Sequence, residues 1–417
     1  VSERIVPLDV LRGVALLGIL LMNVRFFAAI GAAYENPTAY GDLHGANYGV
    51  WYLTALLADS KFMAIFSMLF GAGVVLMAGR REKAGKRPLF LHLRRMAVLL
   101  LLGLAHAYLL WAGDILYTYA LCGTVVYFFR RCRPAVLLVL GTLVLAIGSA
   151  VPLLWYEHMP QADREALRRD FQPPLRDVEA ELRAYRGDWW RQNEARWPAA
   201  WEMQTKEFAA VLAWRAGGLM LIGMALFKLR ILDGSRPRGL YLAMLTGGVL
   251  VGLPVVAYGL YAVEARGWDP VYALLVGSQF NYWGSLPVAG AWVALVMLAC
   301  RSLWLHCLTA PLAAVGRMAL SNYLLQSVLC TWIFYGHGLG LFGKVERVGQ
   351  MGVVAMVWAL QLAVSPLWLW YLRFGPAEWL WRSLTYGRVQ PLRNSSPRAR
   401  AELGHEGCAG GPGPRLT

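Results

Sequence analysis

Long apolar runs separated by short polar stretches dominate the chain. A helix needs about 20 such residues to cross the hydrocarbon core of a bilayer. The runs fall at Leu8 to Ile30, Lys61 to Ala78 with an amphipathic extension back to Tyr48, Met96 to Ala112, Ile115 to Phe129, and Ala135 to Tyr156. After a long polar interval come Phe208 to Phe227, Leu240 to Val263, Val271 to Ala299, Gly316 to Tyr335, and Gly349 to Leu372. The pattern predicts an all-α polytopic protein with about ten transmembrane helices in one domain over residues 1–392. Gly284 and Pro287 mark the eighth run for a kink or break.

The polar stretches predict direction. Arg80, Arg81, Lys83, Lys86, Arg87, Arg94 and Arg95 separate runs two and three, and Arg130, Arg131 and Arg133 separate four and five. Lys228, Arg230, Arg236 and Arg238, then Arg301, then Arg373, Arg382 and Arg388 continue the alternation. Gly31 to Asn47 and Trp111 to Tyr119 carry no Lys or Arg. With ten spans every basic cluster falls on one side, which the positive-inside rule makes cytoplasmic, together with both termini. The first run is too long, and Asp9 too polar, for a cleaved signal peptide. Glu157 to Glu207 is an outer loop whose acid–base spacing predicts surface helices, either a solvated cap or a lid over a substrate site. Its Trp189, Trp190, Trp197 and Trp201 suit a membrane interface. Residues 393–417, rich in Gly, Pro and charge, are expected to be a disordered tail.

Composition removes the competing classes. Apolar residues make up 58% of the 417 and charged residues 16%, too few charges to clothe a soluble surface. The net charge of +15 serves helix orientation and contact with anionic membrane lipids rather than nucleic acid, for which no motif is present. The six cysteines, Cys122, Cys132, Cys300, Cys307, Cys330 and Cys408, form no CxxC pair. They read as small core residues, with no disulfide and no metal site.

The candidate chemistry lies in polar residues inside apolar runs, which are costly there and mark function or pairing. Asp9 and Arg12, at i and i+3, form either a local ion pair or an anion clamp with Arg12 oriented by Asp9. Asn23 lies further along the same helix, placed to bridge to a neighbour. Lys61 either snorkels to the outer interface or faces substrate, and Gly71, Ala72 and Gly73 permit close helix approach. His106 sits eleven residues beyond Arg95, about 16 Å along a helix. It is either a satisfied hydrogen-bonding residue or the chain's best general base, with Asp114 holding one ring nitrogen. Asp114 is eight residues on, out of reach on an unbroken helix, so the Gly113 bend must return it. Arg317 opens run nine, where Asn322 and Gln326 share a face and Tyr323 and Tyr335 add hydroxyls. No GxSxG, HExxH, Walker A or dinucleotide fingerprint is present.

Five segments resemble the YeiB-like family of bacterial inner-membrane proteins, named as a domain of unknown function. They are LDVLRGVALLGILLMN at Leu8 to Asn23, KFMAIFSMLFGAG at Lys61 to Gly73, His106 followed by WAGDILYTYAL, GRMALSNYLLQSVLCTWIFYGHGLGLF at Gly316 to Phe342, and GPAEWLWRSLTYG at Gly375 to Gly387. The resemblance is nearly full length and omits the long loop and the tail. The opening is also remotely similar to heparan-alpha-glucosaminide acetyltransferase and other transmembrane acyltransferases. This implies acyl transfer from cytoplasmic acyl-CoA to an acceptor across the membrane. In those proteins the acyl-carrying histidine follows the first helix, a place that His44 occupies here, so the resemblance leaves His44 and His106 as alternatives. On this reading Asp9, Arg12 and Arg317 bind the donor, and Asn23, Lys61, Asn322, Tyr323, Gln326 and Tyr335 line the substrate path. A transporter or exporter of a small metabolite or lipid would use the same polar face without chemistry, and a lipid-binding scaffold is the third class.

Overall fold

The structure, a computed structural model, describes residues 4–393. The expected tail beyond 393 lies outside the described residues. Its helices run α1 (Val6–Ala28), α2 (Ala32–Glu35), α3 (Gly45–Leu57), α4 (Lys61–Lys83), α5 (Leu89–Leu109), α6 (Leu116–Val126) and α7 (Pro134–His158). Three helices of the long loop follow, α8 (Gln161–Phe171), α9 (Leu175–Arg186) and α10 (Trp189–Glu202). Then come α11 (Ala213–Lys228), α12 (Arg238–Gly247), α13 (Leu253–Glu264), α14 (Ser278–Ala299), α15 (His306–Arg317), α16 (Ala319–Phe334), α17 (Arg347–Tyr371) and α18 (Pro376–Tyr386). The described residues contain no strand, only an isolated bridge between Leu372 and Arg393. Prolines at the first turns of α1 and α18 lack an N–H just where a helix has no acceptor for it.

Among the described residues, eight helical stretches are long and apolar enough to cross a membrane, and a ninth if the bent α15–α16 pair is one span. The expected fourth span is instead the shorter apolar helix Leu116–Phe129. The chain is thus a multi-pass helical membrane protein. The kink expected at Gly284 and Pro287 does not break the helical stretch Tyr272–Ala299, which is continuous. The break falls between Arg317 and Ala319, where the axes differ by 83°. Met318 leaves the helical region there (φ −107, ψ 30), so α16 starts anew with unsatisfied N–H groups. The distant Glu378 caps them, accepting from the N–H groups of Leu320 at 2.7 Å and Ser321 at 3.2 Å. Similarly, the long loop is helical but does not end before the sixth span. From Trp189 the helix continues through a wider-turned stretch, Met203–Leu212, to Lys228.

Two glycine-mediated crossings hold the bundle. A Cβ on Gly71 of α4 would overlap the Met220 carbonyl of α11, and one on Gly223 would overlap Met68. Gly13 of α1 and Gly316 of α15 make the same reciprocal contact through the Leu312 and Asp9 carbonyls. At the N-terminal end of α1, α18 lies across α5 and α16: the Arg95 guanidinium covers the Trp381 ring at 4.4 Å, and Trp381 donates to the Arg95 carbonyl. The two ends of the described chain therefore meet at one end of the bundle, amid its arginines.

Candidate functional site

His106 lies in the last turn of α5, with 2% of its surface exposed. The helix stops at Leu109, and the Leu110 and Trp111 N–H groups both bond back to the His106 carbonyl. The chain then folds back toward α5. Gly103, one turn before His106, permits this, since a Cβ there would lie 2.6 Å from the Tyr117 nitrogen and 2.9 Å from Asp114 Oδ2. Asp114 thereby reaches His106 despite its distance along the sequence. Its Oδ1 is 2.9 Å from His106 Nδ1, and its Oδ2 accepts from the Tyr117 N–H at 2.8 Å, opening α6. The other ring nitrogen, Nε2, is 2.8 Å from Ser327 Oγ on α16. With Nδ1–H donating to the carboxylate, Nε2 accepts from the serine hydroxyl. The result is a buried Ser327–His106–Asp114 relay of the kind that activates a hydroxyl as a nucleophile. Tyr323 stacks obliquely beside the imidazole at 5.0 Å, and the Trp111 ring lies 6.2 Å away. The Trp111 Nε1–H is buried without a hydrogen-bond partner.

Helix α16 presents two polar faces. Tyr323 and Ser327, at i and i+4, turn to His106. Asn322 and Gln326 turn to α17. Asn322 donates to Ser365 at 3.0 Å, Gln326 donates to Gln361 at 3.0 Å, and Gln361 returns a bond to the Asn322 carbonyl at 2.8 Å. The amides expected to line a passage are thus occupied in tying α16 to α17. Tyr335 also lies apart from His106, packed against Tyr185 and Phe342 under α9.

At the arginine-rich end, Asp9 binds both Arg12, at 2.9 Å, and Arg4, at 2.6 Å. Arg317 lies within electrostatic reach of Arg4 and Asp9, and Arg95 within reach of Arg12 and Arg382. The expected trio of Asp9, Arg12 and Arg317 is therefore brought together, and Arg12 retains 30% side-chain exposure. From this end to the relay is about 12 Å along α16 from Ala319 to Ser327.

Lys61 does not snorkel. It has 0% exposure and opens α4 just after a break at Ser60, a non-glycine residue in the left-handed region at φ 63. The break leaves the last carbonyls of α3 without N–H donors in their own helix, and side chains from elsewhere supply them. Lys61 Nζ donates to the Ala55 carbonyl at 2.8 Å and Trp292 to the Leu57 carbonyl at 3.0 Å, while Arg25 adds a bond to the Trp51 carbonyl, further up α3, at 3.1 Å. Lys61 also donates to Asn281 at 2.7 Å. Asn23 lies half-buried within α1, and its side chain makes no hydrogen bond among the described residues. His44 precedes α3 without a side-chain cap bond; its side chain is 94% exposed and bonds Asp42 at 2.9 Å, not a residue of the relay. Bonds from Asn47 and His44 hold the Asp42 carboxyl below its usual range.

Residue reasoning missed Ser327, Gly103, Arg25, Arg215 and Glu378. Arg25 and Arg215 stand inside apolar runs and carried the same signal as Lys61. A serine within a helix carries none, because its role depends on a neighbour distant in sequence. The five described cysteines are free thiols; Cys122 and Cys330 are buried as core residues, Cys307 is exposed, and Cys408 lies outside the described residues.

Residues 226–388 match the family described as a protein of unknown function, DUF418. The uncharacterized protein YxaH of Bacillus subtilis is 33% identical over 413 residues, covering 94% of this chain and 96% of that protein. The uncharacterized protein YeiB of Escherichia coli is 33% identical over 414 residues, covering 95% of this chain and 100% of that protein. No solved structure matches. With such identity over nearly its whole length, the chain belongs to the YeiB-like family.

Proposed function

We propose that the protein is a transmembrane acyltransferase, and the observation that carries this reading is the Ser327–His106–Asp114 relay, with bonds of 2.8 and 2.9 Å. Asp114 fixes the imidazole tautomer so that Nε2 is free to take a proton. Ser327 Oγ attacks the carbonyl carbon of an acyl thioester while its proton passes to His106 Nε2. The carbon–sulfur bond then breaks, and the leaving thiolate takes the proton from His106. Next an acceptor hydroxyl or amine gives its proton to His106 and attacks the acyl-serine ester, restoring Ser327. The free Nε1–H of Trp111 is a candidate donor to the oxyanion.

Arg12, Arg317 and Arg4 form the cationic mouth suited to the phosphates of a CoA-like donor. Its separation from the relay, about 12 Å along α16, suits a donor whose thioester lies at the end of a long flexible arm. On this reading the protein sits in the bacterial inner membrane with the arginine-rich end, and both termini, cytoplasmic. The acceptor, a small molecule or lipid, approaches from the opposite face, where Arg196 of α10 caps the Leu110 carbonyl at 2.6 Å and the long loop covers the relay.

Purified protein incubated with radiolabelled acetyl-CoA should acquire a hydroxylamine-labile label on the peptide containing Ser327. Ser327→Ala and His106→Gln should abolish it. A folded protein that takes no label and moves no acyl group to any acceptor would leave transport of a metabolite or lipid as the better reading.

A further inference from the structure

Three cations are buried where α1, the α3–α4 break, α11 and α14 meet. Lys61 is 0% exposed, Arg215 3% and Arg25 7%. Among the described residues none of them forms an ion pair with a carboxylate. Their hydrogen bonds go to neutral groups. Lys61 donates to the Ala55 carbonyl and Asn281, Arg25 to the Trp51 carbonyl and Thr54, and Arg215 to the Tyr282 carbonyl at 2.9 Å and Ser285 at 2.6 Å.

Asp59 is the carboxylate within electrostatic reach of all three, and Asn281 links it to Lys61. Glu207 and Asp170 group instead with Glu35, and none of these acids acts on Lys61 or Arg215. Two positive charges therefore lack a counter-ion, a costly arrangement inside an apolar bundle. A second observation points the same way. Arg215 Nε is buried and has no hydrogen-bond partner, although both terminal nitrogens of the same guanidinium are engaged. Arg81, Arg130 and Arg196 share an unpartnered Nε; at Arg215 it lies within electrostatic reach of a second buried cation, Lys61. Tyr34, 36% exposed, lies within electrostatic reach of Arg25 and Asp59.

We infer that this cluster is a binding site for an oxyanion, a carboxylate or phosphate group of a small molecule, with Arg215 Nε and Lys61 Nζ as its donors and Arg25 supplying further charge. Asp59 and Asn281 position Lys61. The site does not depend on acyl transfer.

The test is thermal unfolding of the purified protein in neutral, phospholipid-free detergent. Inorganic phosphate and acetate are each titrated against chloride at constant ionic strength. At least one should raise the midpoint saturably, by about 2 °C or more, and the two arms distinguish phosphate from carboxylate chemistry. Lys61→Met and Arg215→Met should each remove the rise, whereas His106→Gln should keep it. Arg215→Lys retains the charge but lacks Nε, and should weaken apparent affinity about tenfold; this variant decides the matter if the methionine variants do not fold. No rise in the wild type, a rise that persists in both methionine variants, or unchanged affinity in Arg215→Lys would overturn the site.

Discussion

The His106 relay and the Lys61 cluster are both buried in the same bundle, yet they resolve the burial of polar groups in opposite ways. At His106 each ring nitrogen has a partner, and Asp114 spends its second oxygen on the Tyr117 N–H. Around Lys61 the cations outnumber the carboxylate beside them, and one guanidinium nitrogen has no partner. A closed network orients a group and needs nothing further. An unbalanced one implies a ligand that completes it. On the proposed function, the difference separates a place that positions reacting atoms from a place that holds charge.

The largest expected effect falls on the relay. His106→Gln and Ser327→Ala should each lower acyl transfer by about 10³-fold or more, measured as product formed per inserted protein, with folding and insertion unchanged. Should His106→Gln keep full activity, the relay is a packing network and the contrast collapses. Gly103→Ala comes next. Its methyl would press on Asp114 Oδ2 and the Tyr117 nitrogen, so activity should fall at least about tenfold, as misplacing a catalytic group does. Equal loss of activity in a variant of Gly73, whose Cβ would meet nothing, would sever that link.

Stability sharpens the same contrast. Asp114→Ala leaves the His106 Nδ1–H and the Tyr117 N–H unsatisfied and should cost about 2–4 kcal/mol in unfolding measurements. Arg215→Met removes an unbalanced charge and should be neutral or stabilising in the absence of anions. If Arg215→Met destabilises as much as Asp114→Ala, the cation belongs to a balanced network after all.

The smallest effect concerns pH, at Glu378. Burial raises its carboxyl above the usual 4.5, outweighing the bonds from Ser321 and Leu320 that lower it. The folded state therefore keeps this proton to a higher pH than the unfolded state. The stability the group lends is fully present below about 4.5 and declines as pH rises through the raised value. Glu378→Gln should flatten this slope while retaining an acceptor for the α16 cap. An unchanged pH profile of unfolding would show that Glu378 does not titrate in that window.

The apolar runs and the basic stretches between them determined the class of this protein. Helix period and span length are local properties, set by each segment's need to satisfy its own backbone bonds and face lipid. Asp9 with Arg12, at i and i+3, was legible for the same reason, and Gly71 announced a close helix crossing. Most of the rest was not local. Pro287 suggested a break that α14 does not show: the helix runs through it despite the missing N–H. The break at Met318 instead depends on Glu378, far along the chain, to satisfy the new helix start. Similarly, Asn322 and Gln326 looked like a polar path until α17 supplied Gln361 and Ser365 as partners. His106 and Asp114 were nameable in the sequence as titratable groups in an apolar setting. Ser327 was not, since a hydroxyl becomes a nucleophile only when a base is brought within hydrogen-bond reach. That approach, like the gathering of Arg25, Lys61 and Arg215, was decided by tertiary packing of α1, α4, α5, α11 and α16, because proximity between distant residues is a property of the assembled bundle.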